Sequence, residues 1–117
     1  MTVLYRGERG GRGEWRVFRN DGPLSDRPAQ KLRKYTPAGF SWGSSGSGAR
    51  LLAVALLLDV VGKDEAWSHY VAFTFQVVST WPWDGPWEMS EADVLRWVGM
   101  QHRRENGRKE VMASSVR

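Results

Sequence analysis

Apolar positions along the chain follow three patterns, and each predicts a different kind of element. Thr2 to Arg6 is a run of β-formers. In Trp15-Arg16-Val17-Phe18-Arg19, Trp15 and Val17 share one face of a strand and Arg16 and Phe18 the other. A charged, glycine-rich connection over 7–13 lies between these runs, and the turn signal Asn20-Asp21-Gly22-Pro23 follows them. Together they predict an antiparallel hairpin with a loop longer than usual. Over 49–61 the chain is apolar on every side of a helical wheel, which predicts a helix buried by its neighbours and stopped by Gly62. From 65 to 79 the spacing is i, i+3, i+4, i+7. It sets Trp67, Tyr70, Val71, Thr74, Val77 and Val78 on the core face of a helix capped by Asp64, with Phe73 off the main stripe. The alternation from Tyr70 to Phe75 keeps a strand open as an alternative for its second half.

Ser90, with Asp93 three residues later, marks the start of a third helix over 91–102 whose buried side is Val94, Leu95, Trp97 and Val98. Residues 29–34 fit either one helical turn or a short strand, 36–39 read as a turn, and 81–87 read as a rigid loop. The fold expected is α+β: a small antiparallel sheet, built on the N-terminal hairpin, packed against about three helices with 49–61 at the centre. It occupies one domain over 1–101. The basic stretch 102–117 is expected to be a frayed or disordered tail.

Composition narrows the chemistry. The chain has 117 residues and no cysteine, which removes thiol catalysis, iron–sulfur clusters and cysteine-ligated zinc. The start lacks the apolar core of a signal peptide. The longest apolar run is eight residues (51–58), short of the roughly 20 that a membrane span needs. A cytoplasmic protein, with no membrane partner, is the expectation. The net charge of +4 divides into +5 over 1–34, −4 over 35–101 and +3 over 102–117. Basic ends can meet nucleic acid or an acidic protein, or simply remain solvated.

No catalytic constellation emerges from these residues. His69 and His102 belong to no metal-spaced cluster and read as partly exposed, non-catalytic histidines, so no metal or cofactor is assigned. Asp59 lies near the C-terminal end of an apolar helix, where the helix dipole opposes its charge. It therefore needs a partner, for which an arginine of the N-terminal hairpin is the natural one, and a general base is the alternative reading.

Two segments are candidates for contact. In Phe40-Ser41-Trp42-Gly43-Ser44-Ser45-Gly46-Ser47-Gly48-Ala49-Arg50, the glycine-serine run meets a helix N-terminus. Phe40, Trp42, Gly43, Gly46, Ser47, Gly48 and Arg50 thus outline a possible ligand or anion loop. Its G-x-x-G-x-G spacing matches neither the Walker pattern nor G-x-G-x-x-G. The competing reading is a packing turn in which the glycines allow close approach and Ser47 caps the helix. Seven tryptophans occur in the chain, three of them (Trp81, Trp83, Trp87) in a loop stiffened by Pro82 and Pro86. That loop can anchor an interface, stack bases, or close the edge of the core.

Tyr5-Arg6-Gly7, the run from Thr36 to Gly48, the run from Leu51 to Asp59, and Ala66, Tyr70, Phe73, Val77 and Val78 resemble a small domain family of unknown function found in bacterial, phage and plasmid genomes. Its hallmark is of the type S-P-x-G-F-x-W-G-Y-x-G-S-G-P-x-Q-L-A-x-A-I-L-x-D, and the resemblance covers about residues 4–98. Ser44 stands where that family has tyrosine, Ala49 where it has proline and Leu51 where it has glutamine. The resemblance implies a shared fold and a mobile-element setting, but no reaction.

The function expected is a non-catalytic binding protein of a phage or plasmid. It acts in the host cytoplasm by stoichiometric contact with a host protein or nucleoprotein complex, most concretely as an anti-CRISPR-type counter-defence inhibitor. Nucleic acid is a further partner through the basic ends. Contact is expected at Arg6, Arg9, Arg12, Arg16 and Arg19 with Trp81, Trp83 and Trp87. The alternative is a small nucleotide- or phosphate-binding enzyme using the loop over 43–48.

Overall fold

A computed structural model describes residues 2–32 and 39–115, with side chains to residue 106. The architecture is α+β. Strands β1 (Leu4–Arg9), β2 (Trp15–Arg19), β3 (Gly22–Pro23) and β4 (Trp87–Ser90) form one antiparallel sheet in the order β3-β2-β1-β4. Helices α1 (Arg27–Leu32), α2 (Ser47–Val61), α3 (Lys63–Gln76) and α4 (Glu91–Ser115) pack about it.

The predicted hairpin is present, with Tyr5 opposite Arg19 and Arg9 opposite Trp15. Pleating sends Tyr5, Gly7, Val17 and Trp87 inward and leaves Arg6, Glu8, Arg16, Phe18 and Glu88 outward. β4 is an element the sequence reading omits: directly after the tryptophan loop, residues 87–90 pair with β1 and become an edge strand. Residues 27–32 resolve the local ambiguity as a helical turn. Arg33 and Lys34, and most of the turn expected over 36–39, fall outside the described residues.

α2 is the centre of the core. Ala49 and every residue from Leu51 to Leu57 are buried, as an all-round apolar helix requires. Gly62 (φ 84°) ends α2, its N–H donating to the Leu58 carbonyl, and is also the residue from which α3 starts. A side chain is strained at that φ, so glycine is the residue that permits so tight a reversal. Two predicted caps are displaced. Asp64 lies inside the first turn of α3 rather than capping it, and Ser47 is the first residue of α2, with Gly46 at the cap.

The predicted second helix is helical over 70–75, which settles the strand alternative, but it ends at Gln76 rather than 79, a 3-10 turn follows over Val78–Thr80, and its buried face matches the predicted one only in part. Thr74 is buried as predicted and Phe73, Ala66 and His69 are buried beside it, while Trp67 and Val71 are exposed. On α4, Val94, Trp97 and Val98 are buried as expected and Leu95 is exposed. The start of α4 behaves as its sequence predicts: Ser90 Oγ accepts from the Asp93 N–H (3.1 Å) and Asp93 Oδ2 from the Ser90 N–H (3.2 Å). This is a capping box with aspartate in the place of the usual glutamate. The helix continues past the predicted end at His102, through Asn106-Gly107, to Ser115.

Candidate functional site

Three places carry the residues singled out above. The first is the tryptophan cluster under the sheet. Trp15 meets Trp42 edge-on at 4.7 Å, Trp42 meets Trp87 at 5.9 Å, and Trp81 stacks on Trp87 at 4.0 Å. The Trp42 indole N–H is shared between the carbonyls of Pro82 (3.0 Å) and Gly85 (3.1 Å), which ties the 81–87 loop to the glycine-serine segment. The Trp87 ring lies against Gly7, where any Cβ would collide with it. Trp42 and Trp87 are buried, Trp81 packs against the core, and Trp83 stands 62 % exposed. Of the three loop tryptophans, two therefore close the core and one faces outward.

The glycine-serine segment completes the same junction. Gly43 (φ 80°) donates its N–H to the Val78 carbonyl (3.0 Å), and a methyl there would stand 2.6 Å from Trp83 Cα. Gly48 faces Ser41 and the Gly39 carbonyl, so these two glycines serve close approach. Gly46 caps α2, and Ser44 Oγ accepts its N–H at 3.4 Å. Arg50, the expected anion ligand, donates from Nε to the Ser45 carbonyl (3.1 Å) and lies over the Phe75 ring. Phe40 lines a groove of about 470 Å³ with Trp15, Phe18 and Leu24, on the flank of β2.

The five arginines do not converge. Arg6 pairs with Glu8 (3.3 Å) on the outer face of the sheet and covers Phe18; Arg16 pairs with Glu14 (2.9 Å). Arg9 reaches under the sheet edge. Its guanidinium lies 3.5 Å from the Trp15 ring centroid, and Nη1 donates to the Trp83 carbonyl (2.7 Å). Arg12 sits in the β1–β2 connection, its N–H donated to Glu14. Arg19 supplies the partner that Asp59 requires: its Nε donates to Asp59 Oδ2 (2.9 Å), which also accepts from the Tyr5 hydroxyl. Burial, then the hydrogen bond to Asp59 and its charge, raise the Tyr5 pKa above the usual phenolic range.

The outer face of α3 is the second place, and two of its residues, Trp67 and Val71, are predicted as core but stand exposed. Trp67 (52 % exposed), Val71 (41 %) and Phe75 (51 %) follow one another at i, i+4, i+8 and form a single apolar stripe. At its N-terminal end, Trp67 and Leu32 line a groove of about 450 Å³ with Lys63, Asp64 and Ser68. Exposed aromatic residues in line are what protein interfaces use as anchors.

The third place joins the two histidines, which are 33 positions apart in the chain. Glu65 Oε2 lies 3.0 Å from His69 Nε2 and 3.1 Å from His102 Nε2. His69 is buried rather than partly exposed as expected, while His102 is on the surface. Their separation in sequence hides the pairing, and only the i, i+4 spacing of Glu65 and His69 on one helix hints at it.

No curated protein and no solved structure matches the chain. A family model does match, over residues 5–100, which takes in the sheet, the tryptophan junction, α2, α3 and the first part of α4. The chain belongs to the family of unknown function DUF6166.

Proposed function

We propose that this chain is a non-catalytic binding protein that works by stoichiometric contact with a protein or nucleoprotein complex. Counter-defence inhibition of a CRISPR effector in the host cell of a phage or plasmid is its most concrete form. The observation that carries the reading is the stripe of Trp67, Val71 and Phe75, exposed on a helix whose opposite face is fully used by the core. Exposed apolar residues scattered singly need no explanation, but three in register on one helix do. Trp83, exposed beside Arg9, offers a second anchor.

Salt-bridging to Glu8 and Glu14 speaks for a protein surface over a nucleic-acid one, because paired arginines have less charge to offer phosphates. The alternative, a nucleotide- or phosphate-binding enzyme at residues 43–48, has less geometry behind it. Arg50 is engaged with Ser45 and Phe75, and Gly43 and Gly48 are in close packing contacts.

Affinity capture from host lysate, with and without nuclease, tests the reading when the native chain is compared with the double substitution Trp67→Asp, Phe75→Asp. A stoichiometric protein that survives nuclease and is lost from the folded double variant supports it. Retention of nucleic acid alone, or a partner held equally by the variant, defeats it. Phosphate binding abolished by Arg50→Ala would favour the enzyme.

A further inference from the structure

We propose that Glu65, His69 and His102 form a binding site for one divalent transition-metal ion of the zinc type, which clamps α4 onto α3. Two imidazole nitrogens and one carboxylate oxygen converge there, and the three ligand atoms all lie within 4.8 Å of one another. A tetrahedral ion with bonds of about 2.0–2.1 Å holds its donor atoms roughly 3.3 Å apart. Glu65 Oε2 already stands 3.0 and 3.1 Å from the two Nε2 atoms, close to that spacing, and a turn of the surface His102 ring toward His69 brings the two nitrogens, now within 4.8 Å of each other, to the distance that one ion needs.

The surroundings orient the ligands. Glu65 and His69 share one face of α3 at i, i+4, a spacing at which helical side chains meet. The His69 ring is buried, its edge set against Trp97 of α4 at 6.1 Å and 88°, and Trp97 in turn meets Phe73 at 4.9 Å. The Trp97 indole N–H donates to Gln76 (3.2 Å). This aromatic seam holds α3 and α4 side by side and brings the His102 ring to 5.4 Å from that of His69, nearly perpendicular to it. One ligand is thus fixed in the interior, while Glu65 and His102, both partly exposed, admit the ion from solvent and leave positions for water.

The donor set selects the metal. Imidazole suits Zn²⁺, Ni²⁺, Co²⁺ and Cu²⁺, whereas Mg²⁺ and Ca²⁺ prefer an all-oxygen shell. With the ion absent, an imidazole whose Nε2 carries the proton can donate it to the same carboxylate oxygen, so the three side chains stay together without a metal.

Calorimetric titration of the full chain, free of any histidine tag, with zinc chloride tests this directly. One ion per chain is expected, with saturable binding, a rise in Tm on loading, and no competition from excess Mg²⁺. His102→Ala removes a surface ligand without touching the core and should weaken zinc at least about tenfold, since loss of even an outer partner of a ligand costs about 10–100-fold. Cobalt chloride supplies a second readout: the visible bands of a low-coordinate Co²⁺ site should appear with the native chain and be lost with Glu65→Gln. Absence of saturable zinc binding, or zinc bound as tightly by a folded His102→Ala variant, overturns the proposal.

Discussion

The junction beneath the sheet and the outer face of α3 are both rich in large aromatic residues, yet the fold treats them in opposite ways. At the junction, Trp15, Trp42, Trp81 and Trp87 are in contact in series, and Gly7 and Gly43 leave the space that the 81–87 loop needs to come close. On α3, Trp67, Val71 and Phe75 have the spacing of a core stripe but stay exposed. Aromatic density is therefore a poor guide to a binding surface. What separates the two regions is whether other parts of the chain supply small residues and carbonyls to receive the rings. Trp42 finds two carbonyls for its indole N–H, whereas Trp67 meets Tyr70 of its own helix, Phe75 meets Arg50, and both rings stay half exposed.

The contrast can be broken by substitution. Trp42→Ala should lose about 3–5 kcal/mol of stability, the usual loss for truncating a buried tryptophan. Chemical denaturation measures it. A loss below about 1 kcal/mol would mean that the junction is not the structural centre it is taken to be. Next in size is Tyr5→Phe, which removes the hydroxyl that links β1 to Asp59 on α2 and should cost about 1–2 kcal/mol near neutral pH.

The same tyrosine predicts a pH dependence. Its folded pKa is raised, so its contribution is fully present below about pH 10, the unfolded value, and declines as pH rises further. Alkaline melts of Tyr5→Phe should be flatter than those of the native chain; identical slopes would refute the linkage. Ser90→Ala should cost about 1 kcal/mol by opening the capping box of α4. It should weaken the acid dependence due to Asp93 only in part, because the Ser90 backbone N–H, which does most to hold the Asp93 pKa down, remains and only the serine hydroxyl is lost. That stabilisation is present above the ordinary aspartate range and disappears as pH falls through the depressed value. Smallest of all, the α3 substitution Trp67→Ala should stay within about 0.5 kcal/mol of the native stability. Equal losses for Trp42→Ala and Trp67→Ala would erase the distinction between the regions.

Local signals were legible in the chain itself. The alternation over 15–19, the all-apolar run of α2, the Gly62 stop and the Ser90–Asp93 box each depend on neighbours a few residues apart, and each has its predicted structural role. Asp59 was legible too, because a carboxylate near a helix C-terminus calls for a cation, and Arg19 answers. Other features depend on what the chain meets after it has folded. β4 exists because β1 offers it an open edge. The buried face of α3 is decided by the position of α2 and by the tight reversal at Gly62, so period alone could not choose between Phe73 and Trp67. The pairing of Glu65 and His69 with His102 requires α4 to lie along α3 through Trp97. The sequence by itself determined which segments would be helix, strand or turn wherever short-range periodicity and capping decide the matter. Only the tertiary structure decided which aromatics are enclosed, which stay exposed, and which distant side chains share a site, because those outcomes depend on the orientation of whole elements in contact.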